Sequence, residues 1–174
     1  MHPVPSTCKM IWHKAFERSF DECWVDWAIE MIEAGFESEN LYMLAGSNRP
    51  FYHFEMSALT TAVMKDLSLD YSDKHIATRN YAYSLIKEAL DNPGKVITAL
   101  HHLQEFYYLL DRDELYSDFY LLYLAVIELR DIGYQFYWEG ANLENIDAII
   151  RDRFLAWMQD YEHDHAENTS RGER

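Results

Sequence analysis

The sequence predicts an all-α fold, a single-domain bundle of about seven to eight helices. Apolar residues recur at every third or fourth position through most of the chain, which is the spacing of one helix face. Alternation with a period of two, which is typical of a strand, is nearly absent. The six glycines and four prolines fall mostly between the periodic segments. We therefore expect one helical domain over residues 1–165 and a polar, frayed tail over 166–174.

The first three helices begin at residues whose side-chain oxygens can accept hydrogen bonds from first-turn amides. These N-caps are Ser6, Asp21 and Ser38. The second helix is expected to end at Gly35 and the third at Gly46, since glycine commonly terminates helices. The three helices are expected over residues 7–18, 21–35 and 38–46.

The remaining helices follow from apolar spacing and from the breaks between segments. Ser72 or Asp73 is expected to cap the fifth helix, and Asn92 with Pro93 begins the sixth. Asn142 is expected to cap the last helix, after an aromatic connector between Gly133 and Gly140 that lacks a helical period. The pattern leaves open whether the helices form antiparallel pairs of the HEAT type. These five helices are expected over about 56–67, 73–90, 93–110, 115–131 and 142–161.

Composition bounds the classes of function. The chain of 174 residues is 49% hydrophobic, which is enough to bury one core without disulfides or metals. Thirty acidic against fifteen basic residues give a net charge of -15, which repels nucleic acid and attracts basic partners. Solubility alone is the other explanation of this charge.

The compartment is expected to be the cytoplasm. No stretch of about 18 uninterrupted apolar residues is present, so we expect no membrane association, and the opening residues lack the pattern of a secretion signal. Cys8 and Cys23 are too few for a disulfide scaffold and do not form a CxxC motif.

No catalytic motif is recognisable, so we expect a protein that is not an enzyme and that binds no cofactor or metal. The chain has no P-loop, no dinucleotide-binding glycine motif, no nucleophile elbow and no HExxH. The alternative is a small helical metal-binding protein or enzyme that uses His101, His102 and Glu105. His101 and Glu105 would share a helix face, but one histidine and one carboxylate make only half of a metal site.

A run of carboxylates on the second helix is the most informative feature. Glu22, Asp26, Glu30 and Glu33 follow at spacings of four, four and three, which places them on one face. Between Asp21 and Glu55 there are eight acids and only one base, Arg49. A solvated face usually intersperses both signs, so this pattern favours contact with a basic partner, with a solvated face as the alternative.

Two further groups are candidate partner-binding residues. The first is the acidic turn that contains Asp111, Asp113 and Glu114, and the second is a set of aromatic residues in loops. For these aromatics the alternative is burial in the core. They are Phe51, Tyr52, Tyr134, Phe136, Tyr137 and Trp138.

Two stretches together resemble segments of small bacterial helical proteins of the immunity type, which accompany polymorphic toxins. They are WVDWAIEMIEAGFESENLYMLAG, residues 24–46, and YWEGANLENIDAIIRDRFLAW, residues 137–157. The resemblance covers about a quarter of the chain and implies a protein that binds and blocks a toxin. It assigns no functional residue.

Together these features predict a non-catalytic, acidic interaction protein. We expect an immunity protein that binds and neutralises a bacterial toxin with a basic surface, for example a toxin of the nuclease type. A helical adaptor for an unrelated basic partner is compatible with the same features.

Overall fold

The computed structural model describes the backbone of residues 3–172 and the side chains of residues 3–166. This part of the chain contains eight α-helices and no strand, which confirms the all-α fold predicted from the apolar spacing. The helices are α1 (Thr7–Ala15), α2 (Glu22–Glu33), α3 (Glu39–Ala45), α4 (His53–Asp66), α5 (Lys74–Asp91), α6 (Val96–Leu109), α7 (Ser117–Ile132) and α8 (Ile146–Gly172).

The chain divides into two compact units, and the boundary falls between Tyr81 and Ala82, within α5. In the first unit, the core forms because α2 buries one face built from Trp24, Trp27 and Met31. Apolar residues of α3 and α4 complete this core, which explains why their spacing follows the helical period. These residues include Leu41, Leu44, Met56, Val63 and Met64.

The core of the second unit is built largely from aromatic rings. Phe119 of α7 lies 5.6 Å from Phe154 and 6.3 Å from Trp157, both of α8, measured between ring centroids. The ring of Phe106, on α6, lies 5.7 Å from that of Tyr116 in an edge-to-face arrangement. Such geometries are favourable for aromatic pairs, and large rings bury much area per residue.

Most of the predicted helix caps are confirmed at atomic level. Asp21 accepts a hydrogen bond from the amide of Cys23 at 2.9 Å, and Ser38 accepts one from the amide of Leu41 at 3.0 Å. Asn92 accepts a hydrogen bond from Gly94 at 3.1 Å and begins a short 3₁₀ turn, Pro93–Lys95, that leads into α6.

The prediction that Ser6 caps the first helix is wrong, because its side chain makes no capping hydrogen bond. Its hydroxyl donates instead to a carboxylate oxygen of Glu30, on α2. The backbone of Ser6 is helical, with φ −64° and ψ −15°, whereas a capping residue normally adopts extended angles. The Ser6 hydroxyl therefore donates to a charged acceptor on another helix and does not accept a hydrogen bond from a first-turn amide.

The end of the chain also departs from the expected boundaries. The helix α8 begins at Ile146, because Asn142 and Asn145 form a turn in which the side chain of each accepts a backbone amide. The backbone of α8 continues to Gly172, through most of the segment 166–174 that we expected to be a frayed tail; residues 173 and 174 lie outside the described residues. Over the described range, no helix is both long enough and apolar enough to cross a membrane.

Candidate functional site

The four carboxylates of α2 lie exposed on one helix face, which we call the acidic stripe: Glu22, Asp26, Glu30 and Glu33. The opposite face of the helix carries the buried residues Trp24, Trp27 and Met31. The stripe is therefore the outer surface of a helix whose inner surface is committed to the core.

Contacts on the inner face fix the orientation of the stripe. The indole Nε1 of Trp27 donates to the hydroxyl of Thr7 at 3.0 Å, and the Thr7 hydroxyl contacts the sulfur of Met31 at 3.6 Å. The rings of Trp24 and Trp27 pack edge to face with centroids 6.0 Å apart. Because these groups are buried, α2 cannot rotate without disrupting them, and the face that carries the four carboxylates keeps a fixed direction.

Two of the four carboxylates have partners in the first unit. Arg49 donates to both carboxylate oxygens of Glu22, and its Nη2 lies 2.6 Å from Oε2. This hydrogen bond lowers the pKa of Glu22, which therefore stays ionised to a lower pH. Glu30 accepts the hydroxyl of Ser6.

Asp26 and Glu33 differ from these two. Among the residues that the structure describes, their carboxylates make no hydrogen bond or ion pair, and both side chains are exposed. The only base between residues 21 and 55, Arg49, is bound to Glu22. Because Arg49 offsets only the charge of Glu22 and the Ser6 hydroxyl is neutral, Asp26, Glu30 and Glu33 keep the negative charge of the stripe, and Asp26 and Glu33 are those without a hydrogen bond or ion pair among the described residues.

The acidic turn before α7 belongs to the second unit and has a partly structural role. Asp113 accepts a hydrogen bond from the amide of Leu115 at 3.0 Å and so begins the 3₁₀ turn Glu114–Tyr116. Asp111 and Arg112 have positive φ angles of 55° and 64°, which produce a sharp reversal after α6. The side chains of Asp111 and Glu114 are exposed.

The connector between α7 and α8 is ordered around one side chain, that of Gln135. Its amide nitrogen donates to the carbonyls of Trp138 and Ala141, at 2.7 and 3.0 Å. Its amide oxygen accepts from the backbone N–H groups of Tyr137 and Trp138, at 2.7 and 2.8 Å. We call residues 133–141 the Gln135 loop. Four hydrogen bonds to one amide group restrain this loop although it lacks regular secondary structure.

The Gln135 loop presents three aromatic rings to solvent, and the least exposed of them is that of Tyr137, at 38%. Phe136 is 86% exposed and Tyr134 is 56% exposed, and their ring centroids lie 5.5 Å apart. Trp138 is half-buried, and its contribution to the loop comes through its backbone groups. Burial in the core, the alternative for these rings, therefore does not apply to Phe136 and Tyr134.

In the first unit, the candidate aromatics divide between core and surface. Phe51 packs against the core, whereas Tyr52 is 61% exposed. Phe54, which follows in α4 and is 89% exposed, was not predicted from the sequence. Phe54 lies two positions before the buried Met56, which is about 200° around the helix and away from the buried face. An apolar residue that breaks the helical period was the signal that could have identified it.

Three residues of α6 carry side chains that can bind a metal ion. One ligand atom from each of His101, His102 and Glu105 lies within 4.8 Å of the others. The Nδ1 atom of His102 and Oε2 of Glu105 are 3.2 Å apart. The ring of His101 packs edge to face against Tyr123 of α7, with centroids 5.6 Å apart. The structure therefore brings together all three residues of the metal-binding alternative.

The two cysteines are free thiols with raised pKa values. Burial is the main cause for both, and in Cys23 the nearby Asp21 carboxylate adds to it and raises the pKa to about 12. A nucleophilic cysteine needs the opposite environment, one that lowers its pKa. This arrangement makes both thiols weak nucleophiles at neutral pH.

Comparison with known proteins identifies no family for this chain. The chain has no significant match to a protein-family model, to a curated protein or to a solved structure.

Proposed function

We propose that the chain is a non-catalytic interaction protein that binds a protein partner with a basic surface. One observation carries the proposal: the acidic stripe is exposed along α2 while the opposite face of that helix is locked into the core. Within the stripe, Asp26 and Glu33 are the carboxylates without a hydrogen bond or ion pair among the described residues. They would supply the charge that a basic partner meets.

Electrostatic attraction explains how such a surface would act. A net charge of -15 speeds the encounter with a basic protein, and association of this kind can reach about 10⁸ M⁻¹s⁻¹ at low salt. Because the backbone of α2 is already held by the core, only the side chains of the stripe need ordering when the partner arrives, which reduces the entropy cost of binding.

Lasting affinity needs apolar anchors as well as charge. Aromatic residues on a preorganised scaffold are frequent binding hot spots, because they bury large areas at low entropy cost. Phe136 and Tyr134 on the Gln135 loop have these properties. We treat the stripe and the loop as two separate contact surfaces, one in each unit of the chain.

The narrower proposal is an immunity protein that neutralises a toxin. It is supported by the resemblance of residues 24–46 and 137–157 to proteins of that type, and the first of these segments contains most of the acidic stripe. A nuclease toxin holds nucleic acid in a basic cleft. An acidic helix face that entered the cleft would exclude the substrate without any catalysis by the immunity protein.

Coexpression with the product of the adjacent gene, where a toxin is expected, tests the proposed class. Growth that depends on this chain supports a neutralising role. A harmless adjacent product that nevertheless binds would favour the adaptor alternative, and a product that neither binds nor harms the cell would contradict the toxin proposal.

The role of the acidic stripe in binding is tested by reversing the charge of Asp26 and Glu33, whose carboxylates make no hydrogen bond or ion pair among the described residues. Asp26→Lys/Glu33→Lys is expected to slow association with the adjacent-gene product at least tenfold at low salt and to reduce the dependence of the rate on salt. The matched control is Asp152→Lys/Asp160→Lys, an equal charge change at exposed positions of α8. An equal loss in both variants would mean that only net charge matters, and unchanged rates in the first would remove the stripe from the interface.

A further inference from the structure

We propose that His101, His102 and Glu105 form a binding site for one divalent transition-metal ion of the zinc class. This inference is independent of the protein-binding function. It rests on the convergence of two imidazoles and one carboxylate on α6, with the three ligand atoms within 4.8 Å of one another.

The separations between the three ligand atoms allow all three to bind one zinc ion. Bonds from zinc to histidine nitrogen and carboxylate oxygen are about 2.0–2.2 Å, so two ligands of one ion lie roughly 3–4 Å apart. Nδ1 of His102 and Oε2 of Glu105 already lie 3.2 Å apart. The remaining separations, up to 4.8 Å, can be closed by side-chain rotation without moving the backbone.

The ligand spacing follows from the helix. Positions 101 and 105 are one turn apart, and positions 102 and 105 are three residues apart, so both histidines can reach toward the same carboxylate. The backbone of α6 is fixed from its other side, where Leu100, Leu103 and Phe106 are buried. A site built on a packed helix is more precise than one on a loop.

The donor set indicates the class of metal. Imidazole nitrogen suits zinc, copper, nickel and iron, whereas magnesium and calcium prefer sites made only of oxygen. Three protein ligands leave at least one coordination position for water or for another molecule. His101 is exposed while His102 and Glu105 are half-buried, so this open position faces solvent.

Zinc titration of the full chain, followed by calorimetry, is the direct test. We expect one zinc ion per chain at this site in the wild type and in His163→Ala/His165→Ala, a control that removes two exposed histidines of α8. We expect that ion to be lost in His101→Ala/His102→Ala. The same stoichiometry and affinity in His101→Ala/His102→Ala as in the wild type would overturn the proposal, as would a wild type that binds no zinc.

A second measurement guards against loss of folding in the alanine variant. Glu105→Gln keeps the shape of the side chain and removes its charge, so far-UV circular dichroism should be unchanged while zinc affinity falls at least tenfold. Cobalt(II) bound to the wild type should show visible absorption bands that change in Glu105→Gln. Bands and affinity that are identical in the two proteins would exclude Glu105 as a ligand and would overturn the three-residue site. Association with the adjacent-gene product is measured separately, so failure of either proposal leaves the other standing.

Discussion

Gln135 holds both backbone groups of Trp138, because its amide nitrogen donates to the Trp138 carbonyl at 2.7 Å and its amide oxygen accepts the Trp138 N–H at 2.8 Å. Two further bonds, to Ala141 and Tyr137, complete the set. A single side chain thus substitutes for the backbone ladder that the connector lacks. The position of Phe136 depends on it, since Phe136 lies between Gln135 and the residues that Gln135 binds.

Replacement of Gln135 by alanine should therefore loosen the loop. We expect the free energy of unfolding to fall by about 1–2 kcal/mol, because four hydrogen bonds are lost, although the Trp138 carbonyl still accepts the Ala141 N–H at 3.2 Å and other groups become accessible to water. Hydrogen exchange at the amides of Tyr137 and Trp138 should accelerate. Gln159→Ala, at an exposed position of α8, is the control and should change neither quantity. Unaltered exchange in the Gln135 variant would show that the loop is ordered by other contacts.

Phe136→Ala separates binding from stability. The ring is 86% exposed, so its removal should leave the free energy of unfolding within about 0.5 kcal/mol of the wild type. If the ring anchors the partner, affinity should fall by about 2 kcal/mol or more. Phe54→Ala is a matched control, since Phe54 is 89% exposed on α4. Equal affinity for wild type and the Phe136 variant would exclude the loop from the interface.

Local signals in the sequence were sufficient to predict most of the fold. Asp21 and Ser38 cap their helices as expected, because the acceptor and the amide lie two or three residues apart. The buried face of α2 follows from the spacing of its apolar residues, and the same spacing places the acidic stripe outside. Each of these features is decided within one helix.

Features that depend on distant residues were not predictable in the same way. Ser6 binds Glu30, which lies 24 residues later in the chain, so the sequence alone suggested a capping role. Arg49 and Glu22 are 27 residues apart, and their contact reduces the free charge of the stripe. In the Gln135 loop no periodic signal exists, and the exposure of Phe136 follows from side-chain hydrogen bonds that composition does not reveal.

The raised pKa of Cys23 predicts that its thiol reacts slowly with disulfide reagents. With a pKa of about 12, about one molecule in ten thousand carries the thiolate at pH 8. In a Cys8→Ser background, we expect Cys23 to react with a disulfide reagent at least tenfold more slowly than a free cysteine does. Asp21→Asn retains a capping side chain and should increase the rate moderately, because burial, the main cause of the shift, persists. A rate for Cys23 in the Cys8→Ser background equal to that of free cysteine would contradict this environment.

Lys14 provides a prediction about stability and pH, because its ammonium group is buried with hydrogen-bond partners. The residue is 8% exposed, and Nζ donates to the Ser57 carbonyl at 2.9 Å and to the Thr60 hydroxyl at 3.0 Å. These bonds join α1 to α4 within the first unit. Lys14→Met keeps most of the length of the side chain but removes both bonds, so we expect a loss of about 1–2 kcal/mol at pH 7.

The pH dependence of that loss tests the burial of the charge itself. Burial lowers the pKa of Lys14, and the Glu17 carboxylate only partly opposes the shift. Between the lowered folded value and the ordinary value of 10.5, the unfolded chain binds more protons than the folded chain, so this group makes the wild type more stable as pH rises. The stability difference between wild type and Lys14→Met, measured by urea unfolding, should therefore increase from pH 7.5 to pH 10. Lys65→Met, at an exposed position of α4, should show no such increase. A difference that stays constant with pH would mean that the Lys14 ammonium is stabilised equally in the folded protein and in the unfolded chain, and one that shrinks would mean that folding stabilises it; either result would contradict the prediction.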